Sequence, residues 1–196
     1  MALIAASPLL IKAHGNTTYM LAMTIFATSM VLLYAASTIY HSICHVSTKV
    51  LRNFQKLDHM MIFVLIAGSY TPVCMIILGG RIGYTLLALV WGIAVAGIIV
   101  KGLWITCPKW FSSIIYIAMG WVCVFVFREL IHTLSVPAFC WLLAGGIIYT
   151  VGGIIYALKL PIFNAKHANF GSHEIFHLFV MAGSICHFIF MYRYVA

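Results

Sequence analysis

The pentapeptide HEIFH at residues 173–177 carries two histidines four positions apart. On a helix His173 and His177 stand one above the other on one face, about 6 Å apart, a spacing that lets two imidazoles share a metal ion. A pair supplies two ligands, so further donors must come from elsewhere. Three imidazoles, from His41, His173 and His177, would fill three positions of a tetrahedral zinc ion and leave the fourth for water. Asp58, the only aspartate in the chain, would accept a hydrogen bond from that water and take its proton during attack on a carbonyl. Ser37, one turn before His41 on the same face, can bond to the water, to Asp58 or to a substrate oxygen.

Each of these residues also has a plainer explanation. Histidines are at home in the headgroup zone of a membrane, and an acid at a helix start gains about 0.3–1 kcal/mol from the helix dipole. Asp58 would then open its helix and bond to Lys56 or a neighbour. His45 competes with His41 as a ligand, because HSICH at 41–45 is a second pair at i, i+4, which puts Ser37, His41 and His45 on one helical face. His59 projects about 100° away from Asp58 and reads as a supporting or solvated residue. His187 lies deep in the last apolar run, off the His173/His177 face, and reads as a packed, hydrogen-bonded histidine. HEIFH further matches H-E-x-x-H, which would make Glu174 the general base of an intramembrane metalloprotease and Asp58 a third ligand. Against that reading, three imidazoles with one separate carboxylate already make a complete hydrolytic site, and Glu174 in the first turn of a helix has an ordinary dipole or loop-pairing explanation.

The elements that must position these groups are membrane helices. Of the 196 residues 64% are hydrophobic and 7% charged, and three acids with eleven bases cannot clothe a soluble domain. The apolar residues fall into runs of roughly 18–25, the length that crosses about 30 Å of hydrocarbon. The lysines and arginines are scattered singly over loops, which excludes a nucleic-acid surface. Six cysteines lie in or beside apolar segments without CxxC spacing and read as small buried fillers.

The expected architecture is all-α: a polytopic membrane bundle of the seven-helix type with a truncated first helix, forming a single transmembrane domain over residues 1–196. Residues 2–11 are apolar for only about half a span, and are either the trailing half of a first helix or an interfacial stub. Six complete spans are expected at residues 19–41, 58–78, 83–100, 111–127, 137–158 and 173–194, with a tight turn at Gly79-Gly80-Arg81. Glycines 145, 146, 152 and 153 are expected to let helices approach. Alternate loops hold seven basic residues (Lys49, Arg52, Lys56, Lys101, Lys109, Lys159, Lys166) against four (Lys12, Arg81, Arg128, Arg193). The positive-inside rule puts the first set in the cytoplasm and the C-terminus outside. His41, Asp58, His173 and His177 then share the cytoplasmic layer, while the opposite ends carry only Glu129 and His132 as comparable groups.

Taken together, YAASTIYH at 34–41, KLDHMMIFVLIAGSYTP at 56–72, YIAMGW at 116–121 and HEIFHLFVMAGSICHF at 173–188 resemble the bacterial haemolysin III family. That family sits in the wider group of progestin and adipoQ receptors and, more distantly, alkaline ceramidases. The resemblance covers essentially the whole chain. It implies seven helices in a bacterial plasma membrane and a cytoplasmic-side Zn(2+) site, with the family's serine and histidine on Ser37 and His41, its aspartate on Asp58 and its paired histidines on His173 and His177. It favours His41 over His45. The family's complete first helix is matched here by only about ten apolar residues before Lys12. The implied function is a zinc-dependent hydrolase of a membrane-lipid amide or ester using a zinc-bound water, the lipid being substrate or ligand. The competing class is non-enzymatic: a receptor-like protein with structural zinc, or a haemolytic pore. A pore needs a polar face along several spans, and these spans hold few polar residues at mid-membrane depth.

Overall fold

A computed structural model describes residues 2–104, 108–158 and 172–196, with side chains for all of these except residues 2, 3, 109 and 172–174. The described residues are helical and contain no strand. Six helices are long and apolar enough to span a bilayer, and a shorter apolar helix precedes them. The chain divides into two compact units, residues 1–106 with 195–196 and residues 107–194.

The first unit begins with α1 (Ala2–Ala13), which packs on α2 (Thr17–Ser42) through buried Leu9 and Ala13. The connection is short, residues 14–16. Gly15 takes φ +98°, open to glycine without steric cost, and the Asn16 side chain accepts hydrogen bonds from the Thr18 and Tyr19 amides at 2.9 and 3.2 Å. α3 (Thr48–Pro72) follows after five residues and packs along α2. Gly68 makes that approach close: a Cβ there would overlap Ser29 Oγ and stand 2.6 Å from Ser29 Cβ. On its other side α3 meets α4 (Gly80–Leu103), where Gly97 receives the Phe63 ring.

α3 does not stop at Pro72. It widens into a π-type turn over Val73–Leu78, and Gly79 N donates to the Cys74 carbonyl at 3.0 Å. Gly79 and Gly80, at φ +57° and +50°, reverse the chain, so the expected Gly-Gly turn is present. Helix α3 also starts ten residues before the expected boundary at Asp58, with Ser47 Oγ accepting from the Val50 amide at 3.4 Å as the N-cap. Lys49, Arg52 and Lys56 are therefore helical, not loop, residues.

In the second unit the span expected at 111–127 is longer and interrupted. α5 (Lys109–Gly120) ends at Trp121, a 3₁₀ stretch covers Val122–Val126, and α6 (Phe127–Thr133) resumes. Trp121 sits in the bridge region (φ −94°, ψ 5°), and three valines in the following five residues add χ1 restriction to a helix already tightening. Its indole Nε1 donates to Thr150 Oγ1 at 2.8 Å, tying the break to α7 (Val136–Leu158). α8 (Ser172–Phe190) packs along α7 and continues into a π-type turn, Met191–Val195.

Three of the four expected contact glycines in α7 do receive a neighbour, and the neighbour is mostly a side chain. Gly145 takes the His187 ring, Gly152 takes Phe179 and Gly153 takes Ile117, whereas Gly146 has open space beside it. Cys74 and Cys186 are buried as fillers, but Cys44 and Cys140 are exposed; with Cys123 these five are free thiols, and Cys107 lies outside the described residues.

Candidate functional site

The α2–α3 pair carries three of the five expected site residues. α2 ends at Ser42, its last turn closed by the Ile43 amide donating to the Ile39 carbonyl at 3.0 Å. Ser37 and His41 both lie within this helix, one turn apart on one face, Ser37 half-buried and His41 exposed. His45 does not continue that face. It falls beyond the helix end, exposed and in the left-handed region at φ +60°, because the backbone has already turned extended at Ile43. The expected alignment of Ser37, His41 and His45 is corrected accordingly, and His41 is the histidine that α2 holds in helical register with Ser37.

Asp58 is only 6% exposed. It stands ten residues into α3, about 15 Å from the helix start, beyond the first turn over which a dipole interaction acts. The helix-start explanation therefore does not apply to it. Lys56 is not its partner either: the Lys56 ammonium donates to the Gly102 carbonyl of α4 at 2.9 Å. Among the described residues the ion-pair partner of Asp58 is His59, whose Nδ1 lies 3.7 Å from Oδ2. That same Nδ1 is 2.7 Å from the Gln55 carbonyl, an acceptor, so Nδ1 carries the hydrogen and donates it there. His59 is thus held beside Asp58 rather than solvated.

Across the pair, Asp58 is within electrostatic reach of Tyr40 on α2. The Tyr40 ring in turn meets the His41 ring edge-on at 4.7 Å between centroids. Tyr40 gave no signal in the sequence, and its electrostatic contact with Asp58 follows only from the packing of α2 on α3. This end of the hairpin collects a hydroxyl, a phenol, two imidazoles and one buried carboxylate.

The remaining expected ligands belong to the second unit. His173 and His177 fall one turn apart within α8, as HEIFH requires, and the side chains of His173 and Glu174 lie outside the described residues. His177 is half-buried beside the Phe176 ring at 5.8 Å, and Phe176 stacks on Tyr156 of α7 at 4.8 Å. Among the described residues no three His, Cys, Asp or Glu side chains converge as a metal cage would. His187 is packed as expected, edge-on to Tyr149 at 5.4 Å, and its ring interacts with the Leu142 backbone, although among the described residues neither ring nitrogen has a hydrogen bond of close geometry. Beside it the Tyr149 hydroxyl and Ser184 Oγ bond to each other at 2.8 Å.

Residues 1–188 match a family described as Haemolysin-III related. Hemolysin-3 of Bacillus cereus is 43% identical over 183 residues, spanning 93% of this chain and 78% of that protein. A hemolysin-3 homolog of Bacillus subtilis is 39% identical over 175 residues, spanning 89% and 78% respectively. A progestin and adipoQ receptor-like protein 1 of Caenorhabditis elegans is 31% identical over 186 residues, or 83% of this chain and 41% of that protein. Six membrane-length apolar helices and a family match along nearly the whole sequence lead to one conclusion: the chain is an integral membrane protein that belongs to the haemolysin-III-related family.

Proposed function

We propose that this protein is a zinc-dependent hydrolase of an amide or ester bond in a membrane lipid, with its site at the cytoplasmic end of the bundle. The observation that carries the reading is Asp58, a carboxylate 6% exposed with a single imidazole as ion-pair partner among the described residues. A buried anion costs several kcal/mol unless positive charge is brought to it, and a divalent cation beside it is one source of that charge. His41, with His173 and His177, would make a donor set that fits zinc in type and number. The ion would supply Lewis-acid polarisation of the scissile carbonyl and of the attacking water.

The chain's own residues account for the rest of the chemistry. The Asp58 carboxylate accepts the proton of the attacking water, with His59, fixed by the Gln55 carbonyl, standing 3.7 Å from it. The Ser37 hydroxyl donates to a substrate oxygen from the same helical face that carries His41. The substrate is a lipid because the site stands near the membrane end of a helix pair: its scissile bond meets Asp58 while its acyl chain stays among the apolar helices.

Purified full-length protein should hold about one zinc per chain, the stoichiometry of one three-histidine site. H41A should lose the metal and H45A should keep it. D58A should keep the metal and lower hydrolysis of a panel of ceramides and phospholipids by about 10²–10⁴-fold, the usual worth of a general base. D58A as active as the parent, or a metallated protein that turns over no lipid while permeabilising vesicles, would replace this reading with the membrane-damaging one that the relatives' name carries.

A further inference from the structure

We infer that the N-terminal extension of α3 binds an anionic phospholipid headgroup through Lys49 and Arg52. The first observation is a length. From Thr48 to Leu78 the α3 span has 31 residues, about 45 Å, whereas the hydrocarbon core is roughly 30 Å thick. One end must project, and the structure marks which. The turn at Gly79 fixes one end of both α3 and α4, and α4 then needs the 22 residues to Gly102, about 33 Å, to reach the level where its carbonyl meets Lys56. That level is therefore the far boundary of the hydrocarbon. Exposed Trp104 just beyond it occupies the place of an interfacial aromatic.

Residues before Lys56 accordingly lie outside the hydrocarbon. Arg52 is one turn further out, about 6 Å past Lys56 and within a headgroup layer roughly 5–7 Å thick; Lys49, about 10 Å past Lys56, stands just beyond that layer, and its long side chain reaches back into it. Lys49, Arg52 and Lys56 are spaced i, i+3 and i+7, so they form one stripe on the helix. Lys56 is occupied with Gly102, which leaves Lys49 and Arg52 as two exposed cations.

The surroundings select the partner. Residues 1–57 contain no Asp or Glu, and among the described residues neither cation has an ion pair. Leu57, exposed and one residue to the hydrocarbon side of Lys56, places the acyl-chain boundary directly inside the stripe. An arginine fork and a lysine at headgroup depth match a lipid phosphate. The site is separate from the hydrolytic proposal and stands or falls without it, since neither Lys49 nor Arg52 has a role in that chemistry.

The test uses delipidated full-length protein in nonionic detergent, titrated with phosphatidylglycerol and followed by native mass spectrometry. K49Q/R52Q should weaken phosphatidylglycerol binding by about 30-fold, from roughly fivefold per juxtamembrane cation. R81Q/R193Q, which removes two exposed cations at other helix ends, should change it by less than about threefold. K49R/R52K, with both charges retained, should bind as the parent does. Equal losses in the two glutamine doubles, phosphatidylcholine binding as tightly as phosphatidylglycerol, displacement by water-soluble glycerophosphoglycerol, or a change of oligomeric state in K49Q/R52Q would each overturn the assignment.

Discussion

Gly68→Ala is the smallest substitution that tests how the α2–α3 pair holds its site. The new Cβ would overlap Ser29 Oγ and stand 2.6 Å from Ser29 Cβ. Carbon atoms pack at about 3.5–4.0 Å, so the two helices must separate by roughly 1 Å at this level. Ser29 cannot turn aside cheaply, because its hydroxyl, buried, donates to the Phe26 carbonyl at 2.7 Å. Overpacking of this kind costs about 1–3 kcal/mol, and losing the hydrogen bond adds about 1 kcal/mol. Removing a glycine from a helix returns about 1 kcal/mol. The net expectation is a loss of about 1–3 kcal/mol, or a fall of roughly 3–10 °C in melting temperature. Thermal unfolding in detergent measures it, and the double mutant Gly68→Ala/Ser29→Gly, which moves the small residue to the opposite helix, should recover at least about 1 kcal/mol relative to the sum of the singles. Additive effects, or a G68A protein as stable as the parent, would refute the close-approach account of how α2 and α3 are held.

Two further outcomes follow from the second unit. Trp121→Phe should cost about 0.5–1.5 kcal/mol by removing the indole donor to Thr150, and Thr150→Val should add little once the tryptophan is gone; unfolding of the four-member cycle decides this. His187→Leu should be neutral or stabilising in the same assay, because it deletes two buried nitrogens without a hydrogen bond of close geometry among the described residues, whereas a loss above about 2 kcal/mol would mean that the Leu142 backbone or a water satisfies them.

Hydropathy and run length made the all-helical membrane fold and the six spans readable, because a helix is the only open-ended structure that satisfies its own backbone in lipid. Boundaries were less readable where a helix leaves the bilayer. The stretch from Thr48 to Leu57 is polar enough to look like a loop, yet its residues include good helix formers and Ser47 caps it, so the helix continues into the headgroup region. That error hid the main fact about Asp58, which is not at a helix start. His45 failed in the opposite way. Spacing alone aligned it with His41, but spacing counts only while the helix lasts, and α2 stops at Ser42. Tyr40 and His59 gave no signal by spacing, since their roles depend on a neighbouring helix and on a carbonyl one turn back.

The glycines of α7 and α8 work as sockets that alternate in direction. His187 and Phe179 of α8 enter at Gly145 and Gly152, and Tyr149 of α7 enters at Gly183 in return. A one-turn slide of either helix would drive each ring from its socket against a residue that has a side chain. The pair therefore has one vertical register, as a key does in a lock cut from both sides, and the height of His177 on α8 relative to α7 is set by three rings that carry no chemistry in the proposed reaction.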